Sequence, residues 1–183
     1  MIQGWFWKSS ACYNDFVKAL RQGDIKAMNY YMNKVALATI SFFDSGNKPS
    51  DYTEPERLHG VKATTKPLEV QEASVCFYHG FVLGLMVDQR KDYIVTSNRE
   101  SGFGRYDVVM EPRNAEDNSL PAIVMEFKVH DAEEESTLED TVAATHVQIE
   151  EKGYDTGLLE GGIAHERIRY YGFAFEGKKV LIG

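Results

Sequence analysis

The sequence has few cysteines and no long apolar run, and each shortage excludes a class of protein. Cys12 and Cys76 are the only two cysteines, too few for a disulfide framework and without Cys-x-x-Cys spacing, so both are expected to be reduced. No apolar run approaches the roughly 20 residues of a membrane-spanning helix, and the first residues lack the apolar core of a signal peptide. We therefore expect a cytoplasmic protein without a membrane partner.

Positive charge is also in short supply, which bears on nucleic acid as a partner. The formal net charge is −8, and taken alone this argues against a polyanion, because phosphate binding depends on Lys and Arg. The excess is local, however, since residues 131–160 hold ten acids and only one base, Lys152. Outside this window acids and bases nearly balance. One acidic face beside a balanced remainder does not exclude nucleic acid.

The N-terminal part of the chain is predicted to be helical. Between residues 13 and 43, apolar residues recur at spacings of three and four around an interruption at Gly23, which predicts two helices with Asp24 as an N-cap. Residues 44–67 are rich in turn formers and charges and predict a long exposed loop. A second helix set is expected from about residue 68 through residue 90.

The hydrophobic pattern then changes to that of strands. Three β-branched and aromatic runs, 93–100, 105–112 and 121–130, predict consecutive strands in a meander. A helix follows over about 134–152, closed by Gly153, and the final run, 167–183, predicts one or two more strands. This order predicts an α/β fold with a mixed sheet flanked by helices.

The third strand, "PAIVMEFKVH", combines a core pattern with charge. Alternation assigns one face to Ile123, Met125, Phe127 and Val129 and the other to Ala122, Val124, Glu126, Lys128 and His130. The preceding strand carries Asp107 at the start of an otherwise apolar run. If these strands are antiparallel neighbours, Asp107 and Glu126 converge, with Lys128 adjacent.

Two carboxylates and a lysine in this arrangement suit phosphodiester hydrolysis. The hard oxygens of Asp107 and Glu126 can bind Mg²⁺ or Mn²⁺, and Lys128 can orient the attacking water or offset charge on the phosphate. From spacing alone an alternative stays open, in which Glu126 and Lys128 form a strand-end ion pair and Asp107 caps a turn.

The helix after the third strand offers further candidates. Its apolar face is expected to be formed by Leu138, Val142, His146 and Ile149. Gln148 lies at the shoulder of that face, and Tyr154 follows just beyond the helix end. The alternative for Gln148 is an ordinary solvated helix residue.

Three more residues are candidates with alternatives that stay open. Arg99 and Arg105 flank the glycine-containing turn "SGFG" and are candidates for phosphate contact, with strand-edge solvation as the alternative. His79, on an apolar helix face, is expected to be a hydrogen-bonded core histidine rather than a ligand.

Several segments together resemble a known family. They are "FYHGFVLGLM" (77–86), "SNRESGFGRYDVVMEP" (97–112), "MEFKV" (125–129), "QIEEKGY" (148–154) and "YGFAFEGKKVLIG" (171–183). This set resembles the PD-(D/E)XK nuclease superfamily, and more closely the branch found as the C-terminal domain of AAA-ATPase-like bacterial proteins. The helical segment from Tyr13 to Asn33 is also similar to the part that joins ATPase and nuclease in such proteins.

The resemblance implies a fold and a site. It implies a restriction-endonuclease-like core over 77–183, a helical segment over 1–50 packed on that core, and a loop or insert over 51–76. Asp107, Glu126 and Lys128 would be the Asp and Glu-x-Lys of the motif, with Gln148 as the polar residue on the following helix.

The chain departs from the family pattern in the first helix of the core. Many members use a Glu there as an extra metal ligand, but the acidic segment 54–57 is separated from Phe77 by residues 58–76. The role could fall to Glu56, to Glu72 or Glu69, or to no residue, and His79 is a further candidate.

The sequence thus predicts a Mg²⁺- or Mn²⁺-dependent nuclease acting on nucleic acid, DNA rather than RNA, with Gln148 and Tyr154 shaping the pocket. An AAA-type ATPase is the expected protein partner. The alternative is a catalytically silent nuclease-like domain that serves as a binding or regulatory module for that ATPase. Because the chain begins in what resembles a linker, it is expected to be a fragment of a longer protein.

Overall fold

The computed structural model of the chain describes residues 3–39, 79–100 and 105–183. Side chains are described for 13–37, 79–97 and 108–183. The predicted loop at 44–67 and the candidate ligands Glu56, Glu69 and Glu72 lie outside these residues.

Two helices open the described chain. Helix α1 spans Gln3–Gln22 and α2 spans Ile25–Thr39, and the chain turns between them at Gly23, whose φ is 75°. The Asp24 carboxylate accepts a hydrogen bond from the Ala27 amide at 3.0 Å, so the predicted N-cap is confirmed. Helix α1 begins earlier than predicted. The sequence did not predict its first ten residues because residues 3–12 mix Gly, Ser and aromatic residues and show no helical apolar stripe. No helix in the described ranges is long and apolar enough to cross a membrane.

The middle of the chain forms the sheet. Residues 79–86 are the described part of helix α3, which a 3₁₀ turn over Val87–Lys91 follows. The strands are β1 (Tyr93–Glu100), β2 (Arg105–Pro112), β3 (Ala122–Val129), β4 (Ile168–Glu176) and β5 (Lys179–Ile182). They lie in the order β1-β2-β3-β4-β5, and only the β3–β4 pair is parallel. The predicted meander and mixed sheet are confirmed.

The parallel step from β3 to β4 is made by helices α4 (Leu138–Lys152) and α5 (Thr156–Glu160). Helix α4 ends at Gly153, whose φ is 59°, as predicted. Its predicted start near residue 134 was wrong, because a capping box between Thr137 and Asp140 begins the helix at Leu138. Residues 131–135 form a turn instead, in which the Glu135 amide donates to the Asp131 carbonyl at 2.8 Å.

The two sides of β3 pack against different groups of helices. One face contributes Ile123, Met125 and Phe127 to a core shared with α1, α2 and α3. Phe127 is 1% exposed and stacks on Phe173 with ring centroids 4.9 Å apart. Burying such a side chain contributes about 1.5–3 kcal/mol. The other face contributes Ala122 and Val124 to a smaller cluster with α4 and α5, so the predicted alternation is confirmed.

Helix α2 is attached to the sheet through two asparagine side chains. Asn29 donates to the Ile182 carbonyl and accepts from the Ile182 amide, both at 2.8 Å. Asn33 does the same with the carbonyl and amide of Val180, at 2.7 and 2.9 Å. Strand β5 lies at the edge of the sheet, where one row of backbone N–H and C=O groups has no neighbouring strand to bind. The side-chain amides of Asn29 and Asn33 bind these groups instead.

Helix α4 packs on β4 at close range. Gly172 has no side chain, and a Cβ placed there would overlap the hydroxyl oxygen of Thr145 and lie 3.1 Å from the Val142 carbonyl oxygen. Glycine is therefore the residue that lets α4 approach the sheet at this point. Gly172 is also the register partner of Glu126 on β3, so this contact sets the distance of α4 from that carboxylate.

We predict that Gly172→Ala lowers the free energy of unfolding by about 1–3 kcal/mol, because the added methyl group forces α4 away from the sheet. Urea denaturation measures the change. Gly84→Ala is the control, since no described atom lies within 4 Å of a Cβ there; it should leave stability unchanged or raise it by about 0.4–1 kcal/mol. Adding Thr145→Ala to Gly172→Ala should restore part of the loss. Equal stabilities of Gly172→Ala and the parent would contradict the packing described.

Candidate active site

The register of β2 and β3 places two acidic positions directly opposite each other. Asp107 on β2 is the register partner of Glu126 on β3. Directly opposite positions of an antiparallel pair share one sheet face and have Cβ atoms about 4.5–5.5 Å apart. The predicted pairing of the two strands is confirmed. The side chain of Asp107 lies outside the described side chains, and the shared ligand role stays a prediction.

Glu126 is buried in the middle of the sheet, with only 1% of its surface exposed. Strands flank it on both sides, since Asp107 of β2 and Gly172 of β4 are its register partners. A buried carboxylate is stable only where opposite charge or hydrogen bonds compensate its lost hydration. A divalent cation is one such compensating charge.

By residue type, Asp107 and Glu126 match the donor set of the simplest magnesium sites. Within the described side chains, no group of three His, Cys, Asp or Glu residues is placed to hold a metal ion. Mg²⁺ commonly uses one or two carboxylates and completes its shell with water and substrate phosphate oxygens. Asp107 and Glu126 would supply those two carboxylates, with hard oxygen donors that also suit Mn²⁺.

Lys128 is held by an acid that follows β3. Its ammonium group forms an ion pair and hydrogen bond with Oε1 of Glu135. The Lys128 side chain is 30% exposed, whereas that of Glu135 is only 7% exposed. The lysine is thus half-buried at the end of β3, and its partner carboxylate is more deeply buried.

Glu135 is the functional candidate that the sequence did not reveal, because its only visible feature was membership of the acidic window 131–160. Its other oxygen, Oε2, accepts from the Thr141 hydroxyl at 2.6 Å and from the Asp131 amide at 3.3 Å. Nδ1 of His130 lies 2.9 Å from the Thr141 hydroxyl and 3.6 Å from Oε2 of Glu135. Since Thr141 gives its one hydroxyl proton to Glu135, the N–H of His130 Nδ1 donates to Thr141.

The pKa of the Glu135 carboxyl reflects two opposing effects. Burial raises it, but hydrogen bonds from Lys128, Thr141 and the Asp131 amide, with the charge of Lys128, outweigh burial and leave the pKa below its usual range. Glu135 is therefore an ionised, partly buried acid at neutral pH.

Helix α4 is rotated relative to the predicted apolar face. Its buried residues are Thr141, Thr145 and Ile149, whereas Leu138, Val142 and His146 are half-buried. The prediction was wrong for these three because the closest packing occurs over Gly172, where only a small side chain such as Thr145 fits.

This rotation bears on Gln148. Val142 precedes Thr145 by three residues and Gln148 follows it by three. Viewed along the helix axis, the two residues therefore lie about 60° from Thr145, on opposite sides of it. Val142 is on the β5 side of the helix, since a Cβ on Gly183 would lie 2.8 Å from its Cγ1. The position of Gln148 is thus on the β3 side, where Glu126 lies. This supports the predicted role of the half-buried Gln148 without testing it.

The remaining predicted residues are spread around this center. Arg99 and Arg105 occupy the end of the β1–β2 pair, in register with Tyr106 and Glu100, and their side chains lie outside the described ones. Tyr154 is half-buried against the cluster of Ala122, Val124 and Ile149, toward the opposite end of β3. For all three, contact with substrate stays a prediction.

His79 lies on the other side of the sheet from Glu126. Its ring packs edge-on against Phe127 at 5.7 Å, and its Nε2 lies 2.9 Å from the Ser97 hydroxyl. Only 6% of the residue is exposed. This is the environment expected of a hydrogen-bonded core histidine, and the packing lends no support to the alternative ligand role.

Comparison with known proteins agrees with this arrangement. A family model described as the PD-(D/E)XK nuclease superfamily matches residues 76–183, more than half of the chain. The chain belongs to the PD-(D/E)XK nuclease superfamily. The match includes all five strands and α4, and the mixed sheet with flanking helices is consistent with the restriction-endonuclease-like fold that was predicted. No curated protein and no solved structure matches the chain.

In this superfamily member, we predict that Glu135 contributes stability that depends on pH. Because folding lowers its pKa, the contribution is fully present above the ordinary carboxyl pKa of about 4 and is lost as pH falls through the lower folded-state value. The difference in unfolding free energy between the parent and Glu135→Gln should therefore shrink below about pH 4.

Urea unfolding between pH 3 and pH 7 measures this difference. The charged or titratable side chains facing Glu135 are Lys128 and His130, and both are unchanged in the variant. Glu134→Gln, an exposed acid in the same turn, is the control and should show little difference at any pH. A difference that stays constant down to pH 3 would contradict the prediction.

Proposed function

We propose that the chain is a metal-dependent nuclease that hydrolyses phosphodiester bonds in nucleic acid, DNA rather than RNA. The observation that carries the proposal is the β2–β3 register, which sets Asp107 opposite Glu126 with Lys128 two residues further along the same face. Membership of a nuclease superfamily over residues 76–183 supports it.

Each residue has a separate task in this proposal. Asp107 and Glu126 hold Mg²⁺ or Mn²⁺, which when bound polarises the phosphate and lowers the pKa of a coordinated water. The half-buried Lys128 ammonium, at the end of β3, orients the attacking water or stabilises negative charge that develops on the phosphate.

Substrate contacts come from residues around the two carboxylates. Arg99 and Arg105, at the end of the β1–β2 pair, bind the phosphate backbone. Gln148 approaches from the β3 side of α4, and Tyr154 shapes the pocket further along β3. The many exposed acids of the α4 layer, such as Glu139, Glu150 and Glu151, repel phosphate, so the strand approaches over the β1–β2 end of the sheet.

The branch and partner are part of the same proposal. We infer from the resemblance of 77–86 and the C-terminal strands that the chain belongs with the cytoplasmic bacterial branch attached to AAA-type ATPases. Such an ATPase is the proposed protein partner.

A catalytically silent binding module is the second candidate. It is favoured by the net charge of −8 and by the displaced helix Glu, since Val75 stands one helical turn before His79. In that case the ATPase, rather than nucleic acid, would be the partner that matters.

We predict that the chain cleaves labelled nucleic acid in the presence of Mg²⁺ or Mn²⁺ and stops when EDTA is added. Single- and double-stranded DNA and RNA of one sequence should be compared, with DNA cleaved faster. Asp107→Asn, Glu126→Gln and Lys128→Ala should each lower the rate about 100-fold or more, because each removes a group that stabilises charge in the transition state.

Glu116→Gln is the matched control for the cleavage assay, since Glu116 is an exposed acid in the β2–β3 loop at the opposite end of the sheet. It should cleave like the parent. Full cleavage by Glu126→Gln and Lys128→Ala would place the active site elsewhere, and an inactive parent would leave the binding module as the function.

We also predict that Mg²⁺ raises the Tm of the parent in a concentration-dependent way. A ligand that binds only the folded state adds about 2.7 kcal/mol at 100 times its Kd, which corresponds to a shift of several degrees. Glu126→Gln should lose this Mg²⁺-dependent increment, whereas Glu116→Gln should keep it. Calorimetry with and without Mg²⁺ measures it, and an equal increment in Glu126→Gln would show that the ion binds elsewhere.

A further inference from the structure

The turn after β3 brings a buried acid to the lysine of the motif. Residues 131–135 reverse the chain between β3 and α4, and the Glu135 amide is fixed by the Asp131 carbonyl at 2.8 Å. The Glu135 side chain then meets Lys128, seven residues earlier in sequence. The contact joins the end of the central strand to the start of the crossover.

Glu135 is itself held from several directions. Thr141, fully buried on α4, donates to it at 2.6 Å, and the Asp131 amide donates from the turn at 3.3 Å. His130 in turn donates to Thr141. A side chain with this many partners has few alternative rotamers, so the carboxylate presents a fixed acceptor to Lys128.

This contact differs from an ordinary surface ion pair. Pairs between exposed side chains contribute about 0–1 kcal/mol and do little to fix geometry. Here the Glu135 side chain is only 7% exposed. Without the Lys128 ammonium, its charge would be buried and uncompensated, which destabilises the fold. The long, flexible lysine side chain is thereby held near one position rather than sampling many.

We propose that Glu135 is a positioning residue that fixes the Lys128 ammonium at the open end of β3, on the same face as Glu126. The inference rests on the proposed nuclease function, in which Lys128 acts on the water or phosphate. Glu135 touches neither the metal nor the substrate and acts only through Lys128. Thr141 and His130 support Glu135 from α4 and from the end of β3.

A kinetic double-mutant cycle tests the dependence on Lys128. Glu135→Gln should lower kcat about 10- to 100-fold with KM changed by less than about 3-fold, because the ammonium loses its fixed position. In a Lys128→Ala background, Glu135→Gln should have no further effect on kcat. The same loss in both backgrounds, or a change confined to KM, would overturn the positioning role.

Glu134→Gln is the control, and it should have the kinetics of the parent. Because Glu135→Gln could also weaken the fold, Thr141→Val provides a second variant, which removes the hydroxyl donor but keeps the side-chain shape. It should lower kcat in the same direction by a smaller factor, and Thr141→Ser, which keeps the hydroxyl, should restore it. Equal kcat values for Thr141→Val and Thr141→Ser would count against the support from α4.

A measurement without metal or substrate separates this inference from the proposed function. The Nζ ammonium signal of Lys128 in ¹⁵N NMR, assigned by its loss in Lys128→Arg, should be protected from solvent exchange in the parent and in Glu134→Gln. It should be lost or broadened in Glu135→Gln. An unchanged signal in Glu135→Gln overturns the positioning role, whereas an inactive parent overturns the nuclease function.

Discussion

The arrangement of the molecule depends on the burial of one face of β3, a strand that is hydrogen-bonded on both sides. Ile123, Met125 and Phe127 fill the larger core beneath α1, α2 and α3. A shift of register by one residue would move these side chains out of that core and bring Glu126 into it. Hydrophobic burial on one face therefore fixes the position of the carboxylate on the other. Asp107 is the register partner of Glu126 on β2, so the two acidic positions share that face.

The second layer determines what surrounds Glu126. The parallel step from β3 to β4 requires a crossover, and α4 supplies it on the face that carries the charges. Its close contact at Gly172 admits only a small side chain, Thr145, and the buried stripe also contains Thr141 and Ile149. One of them, Thr141, binds Glu135. The helix thus supports both the sheet and the polar cluster at the end of β3.

The sheet and the N-terminal helices are linked by polar contacts as well as by apolar packing. Asn29 and Asn33 pair with backbone groups of β5, and the Tyr171 hydroxyl donates to the Leu20 carbonyl at 2.8 Å. These bonds join residues about 150 positions apart. They tie α1 and α2 to the strands at the C-terminal end of the chain, and they leave the face of Glu126 and Lys128 to α4.

The sequence by itself determined the features that depend on neighbouring residues. The alternation in β3, the cap at Asp24, the helix stop at Gly153 and the three-strand meander all follow from local periodicity and backbone preference. Because a meander pairs consecutive strands, the proximity of Asp107 and Glu126 could also be predicted from the sequence. Only the tertiary structure decided the rotation of α4 and the partner of Lys128. The rotation depends on the space above Gly172. The ion pair between Lys128 and Glu135 depends on a chain reversal that brings Glu135 back to the strand. Neither feature leaves a periodic signal in the sequence.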